Sequence, residues 1–391
     1  MKLIQDSVHG LLRIEDWMID IIDTPEFQRL RRITQIGFAN LVFPGANHTR
    51  FEHSLGVMEV ARRMVSGMDA DDDEKKEIVA SALLHDIAHL PFSHCSESVV
   101  ERYLGINHEN AEMVLKRGEI KDVLNDLGFN VGRILKHIKG KSECNIVKGD
   151  IDADRIDYLI RDSHYTGVAH GVFDVQRLIN KIIFFDKKIV IDSGGLRSAE
   201  SLLISRFLMY TTVYYHHVCR IARKMFERAL ESCIEDNLIE LKELFTMDDC
   251  STSNLLLEGN DFSKEMISRI LNRKLFKRAL YVNIDSVCVN LSRIDERVAE
   301  MEIAERANVD ERYVIVDIPK VGEGEEFGAQ VFIEGDLKRL DEVSNLVKAL
   351  KDAERKSLKL GVYTLKEYTE EVRRVAMDYF GVDKTYQRKL F

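Results

Sequence analysis

With 391 residues, 45% of them apolar, and a formal charge of −10, the chain can bury a large core, and it is too acidic for a general nucleic-acid coat, which neutralises phosphates with surplus Lys and Arg. No apolar run approaches the roughly 18 to 20 residues of a membrane span, and the longest candidate, Leu202 to Val218, is cut by Arg206 and closed by His216-His217. Six cysteines (Cys95, Cys144, Cys219, Cys233, Cys250, Cys288) stand apart without a Cys-x-x-Cys pair, and nothing in Met1 to Asp6 reads as an export signal, so a reduced, cytoplasmic protein is expected.

Only four prolines interrupt the chain, and long stretches repeat their apolar residues at helical spacing, which predicts a mainly α protein over residues 1–310. Thr24, Pro25 and Glu26 form a helix start, with a hydroxyl cap, proline at the first position and an acid in the first turn; that helix carries Gln28, Arg29, Arg31 and Arg32. From Thr49 onward, Phe51, Leu55, Met58, Ala61, Val65 and Met68 recur at steps of three and four and make one apolar stripe, with His53 near its edge. Asp71 to Glu74 reads as a solvated helix connection, and the next helix runs through Ile78, Val79, Ala82 and Leu83 into His85-Asp86. His89 lies one helical turn after His85, and His94 follows the helix-ending Leu90-Pro91-Phe92. Beyond residue 310 short β-type runs (Tyr313 to Val316, Gln330 to Ile333, Leu360 to Tyr363) alternate with helices near 340–356 and 365–380, which predicts a small α+β subdomain over 311–391.

All twelve histidines fall between His9 and His217, so the chemistry belongs to that part of the chain. His53, the adjacent pair His85-Asp86, and Asp154 supply two imidazoles and two carboxylates in sequence order, a mixed nitrogen and oxygen set suited to Mn, Fe, Ni, Co or Zn, with Mg as an additional candidate. A divalent ion held by such a set activates water and polarises phosphoryl oxygens, so hydrolysis of a phosphoester or phosphoanhydride is expected. Arg50, His89, His94, His108, Arg155 and Arg206 are the cations and proton carriers available to it. A single histidine in such a chain is more often a hydrogen-bonded core residue than a ligand, and it is the set that reverses the odds. His216-His217, at the end of an aromatic run (Tyr210, Tyr214, Tyr215), reads equally as pocket wall or as core.

The order His, His-Asp, Asp resembles the HD phosphohydrolase superfamily. The surrounding words Asp6 to Gly10, Ile22 to Arg31, Val42 to Ala46, Arg50 to Val57, His85 to His94 and Asp154 to Asp162 are similar to its deoxynucleotide triphosphohydrolases, the group that includes the animal sterile-alpha-motif and HD-domain enzymes and their prokaryotic relatives. The likeness is dense over residues 1–110 and 150–225 and begins at the HD region, without a sterile-alpha-motif domain. It implies a helical HD core that cleaves a dNTP at the α-phosphate, giving a deoxynucleoside and inorganic triphosphate, in a homo-oligomer (dimer or tetramer). It further implies His53, His85, Asp86 and Asp154 as metal ligands; Arg50, His89, His94 and His108 at the phosphates and protons; and Arg155, Tyr158, Asp162, Arg206 and Tyr214 around triphosphate and sugar. The proton-donating histidine of the family pairs with an aspartate, whereas His108 meets Glu97, one methylene longer.

By the same resemblance Asp23, Gln28 and Arg31 coincide with a site that reads an activating guanine nucleotide, dGTP or GTP, at a subunit interface; the residues alone read as an exposed helix face with i to i+3 partners. Basic residues that hold an adjoining activator dNTP in the family are replaced here by Asp192-Ser193-Gly194-Gly195, with only Arg177 matching, which implies simpler regulation or none. Two other classes of function remain open at this level: another HD phosphohydrolase, a nucleotidase or phosphodiesterase, and a non-catalytic module that binds nucleotides or nucleic acid.

Overall fold

The computed structural model describes residues 1–319 and 328–382. The chain opens on an antiparallel hairpin, β1 (Lys2–Asp6) and β2 (Gly10–Ile14), whose turn is tied by the Asp6 carboxylate accepting from the Val8 and His9 amides. After α1 (Asp16–Ile22) comes α2 (Pro25–Gln28), which Thr24 caps as expected, accepting from the Phe27 amide. The predicted helix stops there. Residues 29–32 tighten into a 3₁₀ turn that rolls Arg29 inward, where its guanidinium donates to the carbonyls of Ile87, His89 and Met247 at 2.8–3.0 Å.

The helix α3 (Arg50–Val65) begins with a reciprocal cap between Thr49 and Glu52. It is buried on nearly every side, because α4 (Asp72–Leu84) and α9 (Ala153–Thr166) flank it. Gly56 is where α3 meets α9: a Cβ there would collide with the Asp157 carboxylate and the Arg161 guanidinium. The acidic run at 71–74 is the start of α4, with Asp71 accepting from the Glu74 amide. The helix ends at Leu84, so His85-Asp86 and His89 lie on successive turns and not on one helical face. Phe92 and Ser93, both at positive φ (55° and 54°), reverse the chain into α5 (His94–Leu104). Three short helices, α6 (Glu112–Leu115), α7 (Gly118–Asp126) and α8 (Val131–Ile138), lead to α9.

Then α10 (Val175–Asn180) is followed by a second hairpin, β3 (Ile182–Phe185) and β4 (Lys188–Asp192), turned by Asp186 and Lys187 at φ 48° and 63°. The long α11 (Leu196–Met209) continues through a π turn at Tyr210–Tyr214 before α12 (His217–Glu235), against which α13 (Asp249–Glu258) and α14 (Asp261–Leu271) pack.

The remaining elements are β5 (Lys277–Asn283), α15 (Glu296–Ala307), β6 (Val314–Asp317), β7 (Gln330–Ile333), β8 (Asp336–Arg339), α16 (Leu340–Val343), α17 (Asn345–Ser357), β9 (Lys359–Thr364) and α18 (Thr369–Tyr379). β9 is the middle of an antiparallel sheet ordered β5-β9-β6, while β7 adds parallel to β4 to give β3-β4-β7-β8. The fold is mainly α with small sheets, and among the described residues five of the nine strands precede residue 310. Packing crosses that position in both directions. Leu280 and Ile303 join the smaller core with Val314 and Leu360, whereas Val331, Leu340 and Val347 join the larger one. Among the described residues no helix is long and apolar enough to cross a membrane.

Candidate active site

Two helices and one turn deliver the expected donor set to a single point. His53 comes from the first turns of α3, Asp154 from the start of α9, and His85-Asp86 from the turn that follows α4. His53 Nδ1 donates to Asp157 Oδ2 at 2.8 Å and His85 Nδ1 to the Ala82 carbonyl at 2.8 Å, so both Nε2 atoms keep a lone pair; these face each other at 3.3 Å. Asp154 Oδ1 stands 3.0 Å from His53 Nε2 and 3.7 Å from His85 Nε2, and Asp86 Oδ1 lies 3.2 Å from His85 Nε2. Two opposed lone pairs ringed by carboxylate oxygens require a cation among them, so this donor set fits a divalent metal. With protons alone, burial opposes charge on His53, yet bonds to Asp154 and Asp157 push its pKa up to about 10.

Behind the ligands sits a support the sequence reading missed. The Asp157 carboxylate, fully buried, accepts from His53, from His9 Nε2 at 2.6 Å and from Arg161 Nε at 2.8 Å, and Arg161 is in turn bound to Asp6 at 2.9 Å. The first hairpin thus reaches the His53 imidazole through His9 and Asp157. Asp157 follows Asp154 by three residues, a helical spacing that places both on one side of α9, and this was the available signal.

Arg50, expected at the phosphates, is 4% exposed, and its guanidinium is taken up by Asp86 (2.6 Å), Ser93 (2.9 Å) and the Gln35 carbonyl (3.1 Å). It fixes the Asp86 carboxylate. Although burial works against ionisation, Arg50 and His85 hold Asp86 well below the usual carboxylate range.

Next to the ligands, Glu97 of α5 accepts from two histidines: His94 Nδ1 at 2.6 Å on one oxygen and His108 Nδ1 on the other. The extra methylene lets one carboxylate serve both rings. His108 stacks on His89 with centroids 4.3 Å apart, and His89 Nε2 lies 3.2 Å from Asp86. Burial disfavours a charged His108, but Glu97 outweighs it and raises the pKa. His89 is held well below its ordinary value by burial and by Arg50.

His85, Asp86, Asp154, His89, His94, Glu97 and His108 line one cavity of about 1140 Å³, with Arg155, Tyr158, Arg206 and Tyr214 also in its wall, while His53 is buried beneath it. The π turn supplies Tyr210 and Tyr214, and Arg206 lies 4.6 Å over the Tyr210 ring. Asp162, expected against substrate, gives both oxygens to protein, accepting from His48 at 2.7 Å and from the Tyr214 hydroxyl at 2.6 Å, and so fixes Tyr214. His48 is a further residue without a sequence signal. His216 and His217 stack on each other away from the metal ligands.

On the expected guanine face, Asp23 and Arg31 are exposed; Arg31 donates to Gln28 at 2.8 Å and lies 3.5 Å over the Phe51 ring, while Gln28 donates to the Ile22 carbonyl.

Family comparison agrees with this geometry. The HD domain model matches residues 50–162, and the model described as an HD associated region matches residues 173–391, more than half of the chain. This chain belongs to the HD-domain family. It is an HD phosphohydrolase by superfamily, and HD domains bind divalent metals. An uncharacterised protein of Methanocaldococcus jannaschii is 37% identical over 385 residues, covering 95% of this chain and 81% of that one. A protein of Dictyostelium discoideum named deoxynucleoside triphosphate triphosphohydrolase SAMHD1 homolog is 30% identical over 353 residues, 83% of this chain and 65% of its own length. Among solved structures, a hypothetical protein of Aquifex aeolicus superposes with a TM-score of 0.79 at 31% identity over 96% of this chain and 99% of that one. A phosphohydrolase of Bacteroides thetaiotaomicron gives 0.77 at 26% identity over 94% and 100%.

Proposed function

We propose that this HD protein is a metal-dependent dNTP triphosphohydrolase that cleaves at the α-phosphate to release a deoxynucleoside and inorganic triphosphate. The observation that carries the reading is the shared cavity. Metal donors, a His–Glu–His group and a cationic, tyrosine-bearing wall face one another across a space large enough for a nucleotide. The triphosphohydrolase name of the Dictyostelium relative supports the same substrate class.

His53, His85, Asp86 and Asp154 hold the ion, which when bound supplies Lewis acidity at a phosphoryl oxygen and lowers the pKa of water. Arg155 and Arg206 face the triphosphate, and Tyr158 and Tyr214 face the sugar. A ring packed on the 2′ face leaves no room for a 2′-hydroxyl, which selects the deoxy form. Cleavage at the α-phosphorus expels a 5′ alkoxide of high pKa, which needs a proton, and His108 held by Glu97 is the donor. His94 donates to the other oxygen of Glu97 and fixes it, the proton given up by the attacking water reloads His108, and His89, kept neutral, and Arg50 hold Asp86 in place. A guanine nucleotide, dGTP or GTP, bound at Asp23, Gln28 and Arg31 between subunits of a dimer or tetramer, is the activator in this reading.

The test is incubation of the manganese-loaded protein with each of the four dNTPs, with and without GTP or dGTP, and chromatographic separation of nucleosides from nucleotides. Deoxynucleoside plus triphosphate, absent in Asp86→Ala, is the expected result. Stimulation by guanine nucleotide that is lost in Arg31→Ala supports the second site. No product with any dNTP sinks the reading.

A further inference from the structure

Behind the tyrosine wall lies a second, smaller cavity of about 340 Å³, at the seam between the π turn, β5 and the α17–β9 connection. Its charged lining is Arg220, Lys356 and Lys359, and among the described residues no carboxylate lines it. Arg220 is neutralised by Asp317 at 2.7 Å, but neither lysine is paired with a carboxylate among the described residues. The positive charge extends past the rim. Tyr281 is flanked by Lys359, whose Nζ is 5.2 Å from the ring centroid, and by Arg278, at 5.6 Å. Neighbouring His217 registers the same field: burial, Arg278, His216 and Lys359 together press its pKa down to about 4.

A chain with a net charge of −10 that keeps a concave, uncompensated cluster of cations concentrates multivalent anions there. The hydroxyls of Thr211 and Ser357 and the amide of Asn283 add neutral donors, the complement that phosphate oxygens take alongside cations.

We propose that this cavity is a second binding site, for the oligophosphate group of a ligand, separate from the catalytic cavity. Tyr215 and Arg220 wall both spaces, so the two sites are neighbours divided by one layer of side chains. Binding here is independent of turnover in the first cavity, and it is read without the reaction.

The experiment titrates full-length protein calorimetrically with inorganic triphosphate at constant ionic strength. Lys356→Gln/Lys359→Gln is the probe variant and Lys348→Gln, on the helix of Lys356 but outside the lining, is the charge control. Two binding steps are expected in the parent and in the control, and the double variant weakens one of them at least about tenfold, as loss of two cations around a multivalent anion requires. Arg155→Gln/Arg206→Gln affects the other step. Nucleoside triphosphate in place of the inorganic ion distinguishes the source of the phosphate group; a step lost in the lysine variant with either ligand supports the site. Unchanged isotherms in the lysine variant with both ligands, or an effect of equal size in Lys348→Gln, overturns it.

Discussion

The two cores of this molecule bury charge in opposite ways. In the larger one, His53, His85, Asp86 and Asp154 aim lone pairs at one point, an arrangement that only a cation completes. In the seam with the smaller core, buried charges are matched one against another. Arg220 meets Asp317, which also accepts from the Tyr363 hydroxyl, Lys224 meets Glu227 and Glu296, and Arg228 and Arg297 share Glu300. Like donors that converge mark chemistry, whereas opposite charges that cancel mark cohesion, and burial alone does not tell the two apart.

Four substitutions break or sharpen that contrast. The largest effect is expected for Asp86→Ala, which removes a donor and leaves Arg50 buried without its carboxylate. Bound metal, measured by elemental analysis, and hydrolysis should both fall by more than the roughly 100-fold ceiling seen when a supporting residue is lost. Asp157→Asn keeps the shape but loses the charge that fixes His53, so manganese affinity in chelator competition should drop about 10- to 100-fold. Affinity equal to the parent's would mean that His9 and Arg161 orient the ligand helix without it.

Gly56→Ala presses a methyl group onto Asp157 and Arg161 and should cost about 1–3 kcal/mol of stability in chemical denaturation. The smallest effect belongs to the seam. Burial pushes Glu300 up to about 7 against its ordinary 4.5, and the folded state therefore binds more protons than the unfolded state between those values. Its contribution to stability grows as pH falls from 7 toward 5. Glu300→Gln should flatten that part of the pH–stability curve by on the order of 1–2 kcal/mol. Glu227, held down to about 2, titrates below this window and leaves the slope untouched. A variant curve parallel to the parent's would show that Arg228 and Arg297 keep Glu300 charged.

What the sequence made legible follows from range. The cap at Thr24 and the apolar stripe from Thr49 onward depend on residues three or four apart, and they stand where the pattern puts them. The HD fold and its family were legible because the motif words are short and dense. The supports were not. His9 meets Asp157 across 148 positions and His48 meets Asp162 across 114, distances over which no periodicity speaks. Arg50 and Asp162 line the cavity, and the partners that hold them, Asp86 for the one and Tyr214 for the other, are themselves long-range. The hairpin β3–β4 was within reach: Asp186-Lys187 between two apolar runs is a two-residue turn, hidden because the flanking runs were weighed only for helix. The pairing of β5 with β9 across roughly eighty intervening residues lies beyond the same range, so the soft boundary near 310 could not register it.

The inward roll of Arg29 has a consequence for anyone dissecting the protein. The turn that carries His85, Asp86 and His89 hangs by its carbonyls from that guanidinium, and the Phe92 amide that ends it is held by Asp249 at 2.6 Å, which also holds the Thr34 amide. Both anchors lie outside residues 50–162, the stretch that the HD domain model matches. The span that names the domain is therefore shorter than the span that folds it, and a fragment cut at those borders would keep every ligand while losing the scaffold that aims them.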